Sequence, residues 1–173
     1  MIRIILFIFI VNNSITNKQE KLVFEKTIQS YARQVGVDLQ VKRKKINDRF
    51  CTRYSEPSQM SAQYQCYKRY AKQKKGQLNL FVREPYQKLY GGGLGAICVR
   101  KSGGIALVAY RNFQPLSSAV SAAHEVFHNL GASHEEQDIN EIMYPYYSSE
   151  RINANGGMTV GQQTREQIGG CLR

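Results

Sequence analysis

Several features are missing from this chain. No apolar run reaches the ~18 residues that a bilayer-crossing helix needs, and there is no internal repeat and no low-complexity tract. These absences exclude a membrane-spanning helix and a repeat architecture. With 42% hydrophobic and 10% aromatic residues, the composition is globular rather than disordered. Four cysteines occur, Cys51, Cys66, Cys98 and Cys171, but no C-x-x-C pair, which argues against a cysteine-type zinc site. Acidic residues are few, 13 against 24 Lys+Arg, for a formal net charge of +11. Histidine is scarcer still. The three that exist, His124, His128 and His134, fall within eleven positions.

A length of 173 residues suits one compact domain spanning 1–173, long enough to bury roughly 70% of its unfolded surface. The charge is uneven. Residues 1–111 carry 21 Lys+Arg and 6 Asp+Glu, formally +15, while residues 112–173 carry 3 and 7, formally −4. Such asymmetry points either to an anionic partner or to a Lys-rich solvated face. The four cysteines can pair in three ways. Two disulfides imply an oxidising compartment, four buried free thiols a cytosolic chain; the sequence favours the disulfides.

Met1, Arg3 and the apolar residues 4–11 mimic a short signal peptide, but no A-x-A cleavage site follows. Ile, Phe and Val dominate the run, as in a central strand. Residues 2–11 are therefore expected to form the first strand, with any secretion signal and propeptide outside this sequence. Phe24, Ile28, Tyr31 and Val35 share one face of a helix predicted over 18–36, which Gly36 ends. Residues 38–46 alternate as a second strand, and the strand–helix–strand order predicts parallel pairing. Residues 47–77, polar, basic and Tyr-rich, read as a cysteine-pinned loop and then a short helix. Residues 78–83, 94–99 and 105–110 read as further strands, with turns at 90–93 and 102–104. Pro115 precedes a helix that Ser117 or Ser118 caps. Its positions Val120, Ala123, Phe127 and Leu130 are apolar at helical spacing, and Gly131 stops it. A loop containing Met143 and a helix over about 161–171 complete the chain.

Chemistry concentrates in His124-Glu125-Val126-Phe127-His128-Asn129-Leu130-Gly131-Ala132-Ser133-His134. On a helix, residues i and i+4 share a face, so His124 and His128 can aim two nitrogens at one ion. Gly131 permits a sharp turn that brings in His134 as a third ligand. Three protein ligands leave a fourth position for water, the arrangement of a catalytic zinc site. Glu125, next to the first ligand, is suited to take a proton from that water. Chance occurrence of the whole pattern in a chain this long is roughly one in 10⁵.

The segment resembles the metzincin zinc peptidases, whose signature H-E-x-x-H-x-x-G-x-x-H precedes a Met-turn. Glu141-Ile142-Met143-Tyr144-Pro145 matches that turn. The resemblance implies an α/β (α+β) catalytic domain with a twisted five-stranded mixed sheet, an active-site helix and a C-terminal helix. Its N-terminal subdomain would cover about 1–131 and its C-terminal subdomain about 132–173. In layout the chain is closest to the adamalysins (reprolysins). Gly93-Leu94-Gly95-Ala96-Ile97-Cys98 looks like their edge strand, and the likeness implies disulfides Cys98–Cys171 and Cys51–Cys66. Met143-Tyr144-Pro145 is more matrixin-like, and Glu135 after the third histidine is astacin-like. Phe127 stands where many relatives have Gly. The lack of a Cys-rich extension after His134 points away from the archaemetzincins.

The resemblance implies a secreted or extracytoplasmic, monomeric zinc endopeptidase with one catalytic Zn²⁺, calcium being left open. His124, His128 and His134 are its ligands, Glu125 its general base and Met143 an apolar floor. The substrate is a protein or peptide bound extended along Gly95 and Ala96, with Tyr144 and Tyr146 near its side chains. The alternative is a basic heparin- or nucleic-acid-binding protein with a non-catalytic zinc site. Lys42-Arg43-Lys44-Lys45 and residues 68–75, interleaved with Tyr64, Tyr67 and Tyr70, would carry it. In a peptidase the same charges would offer an exosite for an anionic glycan or an acidic protein surface.

Overall fold

The computed structural model describes residues 1–53, 59–71, 74–84, 91–93, 98, 103–111, 114–146 and 149–173. Ten residues whose side chains are mostly buried on both faces make β1 (Ile2–Val11) the strand around which the sheet is built. It pairs in parallel with β2 (Val37–Ile46) on one side and β3 (Gln77–Arg83) on the other. β3 pairs in parallel with β5 (Gly104–Ala109), and the short β4 (Gly91–Gly93) is antiparallel to β5. The order β2-β1-β3-β5-β4 makes the predicted five-stranded mixed sheet of an α/β fold.

Strand alternation sorts the β1 side chains between two cores. Ile4, Leu6, Ile8 and Ile10 join a core with α1 (Lys18–Gln34) and α3 (Pro115–Asn129). Phe7, Phe9 and Val11 join a second core on the opposite face with Tyr67, from α2 (Met60–Lys68), and Phe81. There Phe9 stacks on Phe81 at 4.5 Å and Tyr67 on Phe81 at 4.7 Å. Each such side chain stabilises the fold by roughly 1.5–3 kcal/mol. On α1, Phe24, Ile28 and Tyr31 are buried as their spacing predicts, with Val35 packed at the edge. Asn17 caps that helix by accepting from Gln19 N at 2.8 Å.

Several boundaries differ from expectation. Gly91–Gly93, read as a turn, pair with Val108, Leu107 and Ala106. Pairing needs only peptide groups, so a low strand propensity does not prevent it. The strand expected at 94–99 lies, apart from Cys98, outside the described residues. Helix α3 starts at Pro115 with no side-chain cap, because Ser117 and Ser118 lie inside its first turn and not ahead of it. Ser118 Oγ instead accepts from Arg111 N at 2.9 Å and donates to the Gln114 carbonyl at 3.0 Å. The cysteine-pinned segment holds α2 itself, with Cys66 inside the helix. A further helix, α4 (Ser149–Ala154), and then α5 (Gln162–Leu172) complete the chain. Tyr31 Oη accepts from Met158 N at 2.8 Å and donates to its carbonyl at 3.2 Å, fastening α1 to the segment before α5.

Cys51 pairs with Cys66 across 15 residues, and Cys98 with Cys171 across 73. No helix among the described residues is long and apolar enough to cross a membrane. Loop-closure entropy predicts that losing the first bridge costs about 3 kcal/mol and losing the second about 4 kcal/mol. Urea unfolding of Cys51→Ala/Cys66→Ala and Cys98→Ala/Cys171→Ala chains is expected to rank in that order.

Candidate metal centre

The C-terminal half of α3 is built for close packing. Asn129 Nδ2 donates to the Glu125 carbonyl at 3.0 Å and to that of Ile105, on β5, at 3.2 Å. Gly104 makes room for it, since a Cβ there would lie 2.4 Å from Asn129 Oδ1. The helix then stops. Gly131 adopts φ +102, a left-handed conformation that L side chains rarely take. Gly131 N and Ala132 N bond back to the His128 and Phe127 carbonyls at 3.0 Å each. A Cβ at 131 would also fall 2.9 Å from Cys171 Cβ, so both the turn and the contact with α5 require glycine.

The reversal carries His134 back to the helix. His128 Nε2 lies 3.0 Å from His124 Nε2 and 3.2 Å from His134 Nε2. His124 Nδ1 donates to the Ile142 carbonyl at 2.7 Å, and His128 Nδ1 to the Ala132 carbonyl at 2.9 Å. A carbonyl only accepts, so both Nδ1 atoms carry the hydrogen and both Nε2 atoms present lone pairs. Lone pairs aimed at one another repel unless a cation lies between them. Zn–N bonds of 2.0–2.1 Å at tetrahedral angles set ligand nitrogens roughly 3.3–3.4 Å apart, close to the spacing seen, so this donor set fits such an ion.

Residues 17–135 match the model of the reprolysin-like metallo-peptidases, family M12B. The chain belongs to this family. Its fold is similar to that of metalloproteinase-II from Bacteroides fragilis, with a TM-score of 0.67 at 14% identity, covering 98% of this chain and 52% of that one. It is also similar to an archaemetzincin from Methanopyrus kandleri, with a TM-score of 0.65 at 14% identity, covering 98% of this chain and 96% of that one. The chain thus spans about half the length of the Bacteroides protein and nearly all of the archaeal one. No curated protein matches its sequence.

The other residues predicted from the sequence are placed as follows. Met143 is fully buried in the turn that supplies the Ile142 carbonyl. Tyr144 is half-buried and Tyr146 is 81% exposed, their rings 6.3 Å apart. Gly95 and Ala96 lie outside the described residues. Gln167 is a residue the motif does not reveal. From α5 its Oε1 accepts from Ser133 N and its Nε2 donates to Ser133 Oγ, both at 2.8 Å, bracing the residue before His134. Only the folded contact, 34 positions away in sequence, discloses that role.

Burial dominates the electrostatics. It lowers His124 to about 3, helped by the charges of His128 and His134 and opposed by the bond to Ile142. It also lowers His128. Glu125 is raised by burial to about 8, and its Oε2 has no hydrogen-bond partner among the described residues. In the metal-free chain these groups act on stability with opposite signs. An unfolded chain protonates histidine near 6.5, so the His124 contribution is complete above that pH and is lost as the pH falls toward 3. The Glu125 contribution is complete below 4.5 and is lost as the pH rises through 8. Between pH 6.5 and 8, metal-free wild type is expected to lose stability with rising pH, and Glu125→Gln to lose less, read as the urea midpoint at each pH.

Proposed function

We propose that this metallopeptidase is a secreted zinc endopeptidase that cleaves protein or peptide chains bound in extended form. The observation that carries the proposal is the convergence of three imidazole Nε2 atoms at the end of the helix that also carries the buried Glu125. His124, His128 and His134 would hold the ion through those nitrogens. Bound zinc supplies Lewis acidity, lowering the pKa of a water and polarising the scissile carbonyl. Glu125 takes a proton from the attacking water at its carboxylate and returns it to the departing amine. Met143 gives the ligands an apolar floor.

Support for extended binding comes from β4, which stands at the end of the sheet among the described residues. A substrate strand would add antiparallel along residues 93–97, where the small residues Gly95 and Ala96 would allow close backbone approach. Tyr144 and Tyr146 would wall the pocket for the side chain after the scissile bond. Two disulfides, with no free cysteine among the described residues, support an oxidising compartment. Glu125→Ala is expected to slow cleavage of a peptide library ~10²–10⁴-fold while keeping its zinc by elemental analysis. His128→Ala is expected to lose the metal. A wild-type rate in the first variant, or full zinc occupancy in the second, would sink the assignment.

The basic face supports a second role. Lys44 Nζ lies 5.4 Å from the Phe7 ring and 5.7 Å from that of Phe9, and Lys42 Nζ 6.0 Å from Phe7. Arg53 and Arg69 flank the half-exposed Phe50 ring at 3.9 and 5.0 Å. Phe7 and Phe9, the rings beside Lys42 and Lys44, belong to the core on the side of the sheet opposite α3. That separation favours an exosite for an anionic glycan or acidic protein over a replacement for peptidase chemistry. Lys42→Glu/Lys44→Glu is expected to elute earlier from heparin in a salt gradient with peptide cleavage unchanged. Chelator-insensitive retention by a wild-type protein with no peptidase activity would instead favour the pure binder.

A further inference from the structure

Glu141 belongs neither to the three ligands nor to the proton transfer, yet it is a carboxylate only 1% exposed. Its Oε2 accepts from Met143 N at 2.5 Å. Its Oε1 accepts from Gly161 N at 3.0 Å and from Thr164 Oγ1 at 2.9 Å. Gly161 is the cap residue of α5, so the carboxylate also meets the positive end of that helix. Packing is close, with a Cβ on Gly161 falling 3.0 Å from Glu141 Cγ. One side chain therefore joins α5 to the turn containing Met143.

The turn is what touches the imidazoles. The Ile142 carbonyl accepts from His124 Nδ1 at 2.7 Å, and the Met143 carbonyl accepts from Glu135 N, directly after His134, at 3.0 Å. Ile142 N is held by the Thr159 carbonyl at 2.8 Å. All four peptide groups of residues 142 and 143 are thus engaged, and Met143 N is engaged by Glu141 alone among the described contacts. We infer that Glu141 is a positioning residue. By fixing the Ile142–Met143 turn, it keeps His124 in the Nδ1–H tautomer and holds the chain that presents His134. Metal-site carboxylates commonly bond the histidine directly; here the orienting acceptor is a backbone carbonyl, and the carboxylate acts one step behind it. The inference rests on the metal reading above.

Glutamine at 141 offers one accepting oxygen and one amide nitrogen, so it cannot accept from both Met143 N and the α5 pair. Glu141→Gln is expected to weaken Zn²⁺ binding about 10–100-fold in chelator competition, as loss of an outer-shell partner typically does. In the metal-free chain, ¹⁵N NMR of His124 is expected to pass from a single Nδ1–H tautomer to a mixture. Thr164→Val removes one bond at the α5 end and leaves the Met143 contact. It is expected to lower the melting temperature while Zn²⁺ affinity stays within about twofold. If Glu141→Gln lowers the melting temperature but leaves both Zn²⁺ affinity and the His124 tautomer at wild type, Glu141 merely anchors α5 and the inference fails. Should Glu141→Gln not fold, Glu141→Asp, one methylene too short for both arms, is read in the same way. If the wild-type protein takes up no Zn²⁺, the metal reading falls, while the tautomer comparison in the metal-free chain still decides the role of Glu141.

Discussion

Between His124 Nδ1 and the Ile142 carbonyl runs a hydrogen bond of 2.7 Å that joins α3 to a turn eighteen residues further along the chain. Release that bond and the imidazole can carry its hydrogen on either nitrogen, so the atom facing His128 ceases to be a dependable electron donor. A carbonyl can enforce a tautomer only if its own peptide is held still. Here the peptide is held through Thr159, Glu135 and Glu141, none of which touches an imidazole in the observed bonds. Helix α3 meets the turn from the other side and is itself held by Asn129 against β5 and by the shared core with α1. The geometry of the histidine cluster is thus set jointly by a rigid helix and a fully bonded turn.

The sheet separates two electrostatic regimes. Toward α3, ionisable groups are buried and pushed to their neutral forms, His124 and His128 downward and Glu125 upward. Neutral imidazoles cost little to bury when one nitrogen is bonded and the other is reserved for a cation. Toward α2, cationic side chains lie over aromatic rings at the protein surface. Their charge faces solvent, where salt screens it beyond a Debye length of ≈ 8 Å at physiological ionic strength.

What was legible in the sequence follows from the range of the forces involved. The apolar run of β1, the face of α1 and the register of His124 with His128 are local patterns, and the fold reproduces them. Gly131 was legible as a stop because a left-handed turn leaves few alternatives to glycine. Gly91–Gly93 was misread as a turn because the partner that makes it a strand, β5, arrives later in the chain. The serines expected to cap α3 lie inside it, since the helix begins at Pro115, and Ser118 bonds Arg111 N. Neither Gln167 nor Glu141 carries a local signal. Gln167 acts through a bond 34 positions away, and Glu141 joins Met143, two residues on, to Gly161, 20 positions on, a pairing made only once the chain has turned back on itself.

The bridge between Cys98 and Cys171, the Gln167 contact and the cap at Gly161 all place α5 behind the ligands. All three histidines precede Ile142, Gln167 and Cys171 in the chain, so the bond that orients His124, the brace on Ser133 and the covalent tie to α5 each join segments far apart in sequence. A change in α5 that touches no imidazole therefore reaches the ligand segment through Ser133 and Glu141.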